Sequence, residues 1–232
     1  QQVRRRAGGG RRDGFAALGV HAPPIDLSST YPFPDLDQAT GALDAFAAGA
    51  ATAATPIYGR LHNPTVARCE EALAALEAAE QAVAFGSGMA AITAVLLAAS
   101  THGRHVIAVR PLYGGTDHLL ASGLLGLEVS FVQSHEVAAA LRPDTALVLI
   151  ETPGNPTLSL VDIEHIVRQA GTVPVAVDST FATPVLQRPL AHGATYSIHS
   201  ATKFLSGHGD VIAGVVACGA TAAAGLRQMR IL

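Results

Sequence analysis

Seven short apolar runs, separated by segments of helical period, limit the folds open to these 232 residues. They are "AVAF" at 82, "HVIAV" at 105, "EVSFV" at 128, "ALVLIE" at 146, "PVAVD" at 174, "TYSIH" at 195 and "VIAGVVA" at 211. Runs of this length, rich in β-branched residues, read as buried strands. Helical patterns such as "MAAITAVLLAA", "GTDHLLASGLL" and "LVDIEHIVRQAG" fall between several of them. Strands alternating with helices predict an α/β fold: a mostly parallel seven-stranded sheet with helices on both faces. Further upstream, "NPTVARCEEALAALEAAE" reads as a helix with Pro64 near its start and Val66, Leu73 and Leu76 as apolar markers.

Sites in such sheets gather at the carboxyl ends of the strands. Polar clusters fall at four of those ends: "GSGM" after the first run, "ETPGNP" after the fourth, "DSTFATP" after the fifth and "SATK" after the sixth. Four strand ends carrying polar groups together mark a candidate active site.

Composition narrows the function. Nearly half of the residues are hydrophobic and 14% are charged, enough apolar material for one buried core. A net charge of −3 leaves no general basic field for nucleic acid. Cys69 and Cys218 make neither a disulfide framework nor a metal-ligand spacing, and the ten histidines are scattered, so no metal site is expected. No apolar run reaches the roughly 20 residues that span a bilayer. The start, "QQVRRRAGGGRRDG", lacks the apolar stretch of a secretory signal. Its Arg/Gly composition points to a disordered leader or a linker over 1–14, followed by an N-terminal arm over 15–55 with a short helix near "LDQATGALDAFAAG". The cytoplasm is the expected compartment.

Each cluster has a plain and a chemical reading. A glycine turn entering a helix presents N–H groups and the positive end of a dipole, which suits a phosphate. Gly86, Ser87, Gly88 and Met89 are placed to donate, although an ordinary strand-to-helix turn has the same composition. Asp178 ends an apolar strand, where a carboxylate is costly unless paired. It is either a helix N-cap or the partner of a protonated ring nitrogen. Lysine is rare among the fifteen basic residues. Lys203 is either a surface side chain or, if desolvated, a nucleophile toward an aldehyde, with Ser200 and Thr202 beside it to bind phosphate. A phosphate cradle, a pyridinium partner and an aldehyde partner together are what pyridoxal 5′-phosphate requires.

The segments "PPIDLSSTYPF", "YGRLHNPT", "AFGSGMAAI", "LYGGT", "ETPGNPTL", "VAVDSTFATP" and "HSATKFLSGHGDVIAG" resemble, in order, the Cys/Met-metabolism group of pyridoxal-phosphate enzymes. That group includes cystathionine γ-synthase, cystathionine lyases, methionine γ-lyase and O-acylhomoserine sulfhydrylases. The resemblance runs from about residue 20 to the end. It implies the large domain of fold type I, the aspartate aminotransferase-like fold, over 56–232.

By the same resemblance Lys203 forms the internal aldimine and later moves protons, while Asp178 binds the pyridine nitrogen. Tyr113 stacks on the ring and serves acid/base steps. Gly88, Met89, Ser200 and Thr202 hold the phosphate, and Asn155 lies near the cofactor O3′ and the substrate carboxylate. Tyr58 and Arg60 reach the phosphate of the neighbouring subunit's cofactor, implying a homodimer with shared sites, assembled further into a homotetramer.

Activity is expected as a carbon–sulfur lyase on a sulfur amino acid, by β- or γ-elimination. The alternatives are a γ-replacing synthase or sulfhydrylase, a lyase domain cut from an assembly-line protein, or a dimerising scaffold. The "LQRPL" segment leans toward the γ-lyase branch. Methionine γ-lyases usually carry cysteine where this chain has Gly115, which argues against methionine as the preferred substrate. The group also has a smaller C-terminal domain with an arginine for the substrate carboxylate. This chain stops at "GLRQMRIL", where the connection to that domain is expected, and so reads as a truncated form.

Overall fold

The computed structural model describes residues 21–33 and 35–231. The expected leader over 1–14 and the first part of the arm lie outside the described residues. The seven apolar runs form seven strands: β1 (Gln81–Phe85), β2 (His105–Val109), β3 (Glu128–Val132), β4 (Thr145–Glu151), β5 (Val175–Asp178), β6 (Tyr196–Ser200) and β7 (Gly214–Cys218). They make one sheet in the order β1-β7-β6-β5-β4-β2-β3. Strands β2 to β6 pair in parallel, whereas β7 is antiparallel to both β6 and β1. The mostly parallel sheet expected from the sequence is therefore present, with one inserted antiparallel strand.

The longer helices are α1 (Leu36–Ala47), α2 (Pro64–Glu77), α3 (Gly88–Ala99), α4 (Gly114–Ala121), α5 (Ile163–Ala170) and α6 (Ala220–Ile231). Period-2 alternation sorts the strand side chains between the two faces. Leu147 and Leu149 of β4 join Val95, Leu96 and Leu226 from α3 and α6 on one face. Val148 and Ile150 join Ile163 and Ile166 of α5 on the other. Farther along that second face, small residues meet: Ala74 of α2 packs with Ala82, Val215 and Ala217. Among the described residues no helix is long and apolar enough to cross a membrane.

Helix α2 departs from expectation. Pro64 does stand at its start, and the Asn63 side chain accepts from the N–H groups of Thr65 and Val66. However, Val66 is exposed, and Leu73 and Leu76 are only half-buried. The buried positions are Ala74 and Glu77. The Glu77 carboxylate, 1% exposed, meets the ring of His199 at 2.5 Å inside the protein. A buried acid with a buried partner replaces the leucine stripe, because Ala74 lets the helix approach the sheet closely.

Candidate active site

The carboxyl ends of β4, β5 and β6 and the turns after β1 and β2 surround a cavity of about 390 Å³. Its walls include Gly88, Met89, Tyr113, Asn155, Asp178, Ser200, Thr202 and Lys203. Eight of the ten residues singled out in the sequence therefore converge. Tyr58 and Arg60 do not. Tyr58 bridges Thr30, and the Arg60 guanidinium lies 5.3 Å from the Tyr58 ring centre and donates to the carbonyl of Ile231. Arg60 instead lines a separate hollow with α2 and α3.

Close backbone approach builds the cradle. Ser87 caps α3 by accepting from the Ala90 N–H, leaving the first N–H groups of the helix for another acceptor. A Cβ on Gly88 would lie 2.7 Å from the Ser200 Cβ, so only glycine lets β6 stand this near. Gly214, which the sequence reading passed over, has the same role on β7: a Cβ there would sit 2.1 Å from the Ser87 carbonyl oxygen. These contacts fit a phosphate held by backbone donors at a helix N-terminus.

Asp178 is 9% exposed. It does not cap a helix, because the following short helix at Thr183 begins without a side-chain cap. Its Oδ1 accepts from the Thr180 N–H at 3.1 Å and the Thr180 hydroxyl at 2.5 Å. Both bonds go to one oxygen, and no described residue bonds the other. Burial pushes this carboxyl up, while the Thr180 bonds and nearby His199 pull it down. A cationic ring nitrogen at the free oxygen fits a carboxyl so placed, since the added charge would offset the desolvation.

Lys203 is the only lysine in the sequence and lines the same cavity. It is exposed rather than desolvated, so the burial expected of a nucleophilic lysine is not found within this chain. The Thr202 hydroxyl is engaged with both backbone groups of Ala213, at 3.1 and 3.3 Å. The Ser200 N–H is spent on the Thr180 hydroxyl at 2.8 Å.

An ionisable residue of the cavity was missed in the sequence, as was Thr180, which holds Asp178. Glu151, 7% exposed, ends β4 directly beside Asp178 of β5. One of its oxygens accepts from the Tyr113 N–H at 2.5 Å, the other from the Asn155 N–H at 2.8 Å. Burial and then the Asp178 charge push it up to about 7 against those two bonds. Its signal in the sequence is the one used for Asp178, an acid terminating an apolar strand.

A sequence profile for Cys/Met metabolism PLP-dependent enzymes matches residues 7–230. The chain belongs to this family. An L-methionine γ-lyase of Streptomyces avermitilis is 60% identical over 94% of the chain and 54% of its own length. One from Brevibacterium sandarakinum is 52% identical over 96% of the chain and 58% of its own length. The solved cystathionine γ-lyase of Micromonospora echinospora superposes with a TM-score of 0.83 at 38% identity, covering all of this chain and 59% of that one. The chain spans about half the length of the curated relatives it matches. Members of the Cys/Met-metabolism family depend on pyridoxal 5′-phosphate, and the cradle, the half-bonded Asp178 and the lone lysine fit that cofactor.

Proposed function

We propose that the full-length protein holds pyridoxal 5′-phosphate across this cavity and cleaves a carbon–sulfur bond of methionine, cysteine or cystathionine type. The observation that carries the reading is the convergence of Lys203, buried Asp178 and the Gly88–Ser200 approach on one cavity. When bound, such a cofactor supplies an electron sink for negative charge at the substrate α-carbon. Lys203 would be the amine that holds its aldehyde, and its Nζ would then carry a proton between substrate carbons. Asp178 would pair with the ring nitrogen, and the α3 N-terminus with the Ser200 hydroxyl would hold the phosphate, joined by Thr202 if its hydroxyl releases Ala213. Tyr113, 46% exposed, offers its ring to the cofactor face. Asn155 stands by the substrate side.

The names of the relatives favour elimination over replacement, and they weigh for methionine, against the expectation from Gly115. In this fold that glycine makes room for the tyrosine: a Cβ there would lie 2.6 Å from Tyr113 Cε1. The position of Tyr58 and Arg60 outside the cavity supports a homodimer in which they serve the partner's phosphate, with pairing into a tetramer. The proposed setting is the cytoplasm, with no nucleic-acid partner.

Borohydride reduction of the yellow full-length protein, then digestion and mass spectrometry, should find the cofactor on the Lys203 peptide. Lys203→Ala should remove that label. A panel of methionine, cysteine and cystathionine, read by keto-acid release, ranks the substrates. A colourless full-length protein that takes up no cofactor would end the proposal.

A further inference from the structure

Glu151 is used by none of the roles above, yet it is as buried as Asp178 and stands beside it. A glutamate facing water would cost nothing. This one gives up hydration and sits next to another carboxyl, and no described arginine, lysine or histidine forms an ion pair with it. What offsets the cost is a pair of backbone N–H groups, one on each oxygen. They come from different corners: Tyr113 follows β2, Asn155 follows β4. The two strands are neighbours in the sheet, but their hydrogen-bonded register ends at Ala108 and Leu149. Beyond that point the Glu151 side chain joins the corners.

We propose that Glu151 is a positioning residue, a two-oxygen clamp that sets where the Tyr113 and Asn155 corners stand around Asp178. Only a carboxylate supplies both acceptors. A glutamine offers one oxygen, and its amide would turn a donor toward the other N–H. An ionised carboxylate also accepts more strongly than a protonated one, so the clamp tightens as Glu151 loses its proton. The charged and titratable groups around it are Asp178 on β5, Lys203 after β6 and the Tyr113 phenol after β2, with His199 acting through Asp178. Among them Asp178 raises the cost of ionising Glu151. A cation placed against Asp178 relieves that cost. Filling the ring-nitrogen position therefore tightens the corners that carry Tyr113 and Asn155, a step that rests on the cofactor reading above.

In the full-length protein the two amides are assigned by substitution, since Tyr113→Phe deletes one tyrosine signal and Asn155→Gln one asparagine signal. In cofactor-free full-length protein labelled with nitrogen-15 at tyrosine and asparagine, the Tyr113 and Asn155 amide signals should titrate together near pH 7. Both should move downfield as pH rises. Asp178→Asn should lower the shared midpoint, because it removes the neighbouring charge that pushes Glu151 up. Pyridoxal phosphate added near the midpoint should carry both signals toward their high-pH positions. Glu151→Gln should abolish the shared titration. Two amides that move independently, or not at all, overturn the clamp even if the cofactor binds. A shared titration in a protein that takes up no cofactor supports the clamp and ends the cofactor reading instead.

Discussion

At the scale of single residues, two acids at adjacent strand ends are proposed to have separate tasks. Asp178→Asn keeps the shape and the turn bond but removes the charge. A lost charge-assisted contact of about 3 kcal/mol corresponds to roughly a hundredfold slower turnover. Steady-state kinetics on the full-length enzyme checks this, and near-normal turnover would reduce Asp178 to a turn residue. Glu151 also governs stability. In the folded chain Glu151 keeps its proton up to about pH 7, whereas the unfolded carboxyl releases it near its ordinary value of 4.5. Between those values the folded state binds more protons, so stability falls as pH rises. Glu151→Gln should flatten that slope, read as urea midpoints across the window. Lys203 and Asp178 were legible in the sequence because each breaks an apolar context with a charge. Glu151 breaks it in the same way, but its partners are backbone groups, which carry no residue signature. Lys203 shows the converse: its position was legible, its exposure was not, since exposure depends on what else covers the cavity.

At the scale of elements, strands were easier to read than helix faces. The β-branched runs bury both sides of the sheet and leave little choice of assignment. Helix α2 misled because its buried stripe is built from alanine and one glutamate, residue types that usually mark a solvated face. Glu77 and His199 should be tested as a unit. Glu77→Leu leaves the imidazole buried without its acid and should cost about 3–5 kcal/mol. Adding His199→Phe makes both partners apolar and should return most of that loss. Chemical denaturation of the single and double variants decides it. A double variant no more stable than Glu77→Leu alone would mean that the helix needs the glutamate for another contact. The glycines follow a related logic: Gly88 was legible as part of a turn motif, whereas Gly214 lies inside a strand, and its need to pass Ser87 is visible only once β7 is placed.

At the scale of the whole molecule, the strand sequence was legible but the strand order was not, because pairing partners distant in the chain leave no local pattern. Assembly gives the prediction that belongs here. If Arg60 serves the partner's phosphate, Arg60→Ala weakens cofactor binding, and full-length Arg60→Ala mixed with Lys203→Ala recovers activity. In the mixed dimer one site receives both defects and the other neither. No recovery after confirmed subunit exchange would place each site within one chain. The inserted β7 has a consequence during synthesis. Strand β1 touches the sheet only through β7, which is made about 130 residues later; at ~5–20 residues per second that is a wait of roughly ten seconds. Until β7 leaves the ribosome, β1 and the turn into α3 have no strand to join. The glycine turn that enters the cavity is thus anchored only once β7 has been made, and until then the edge of "QAVAF" has no strand partner.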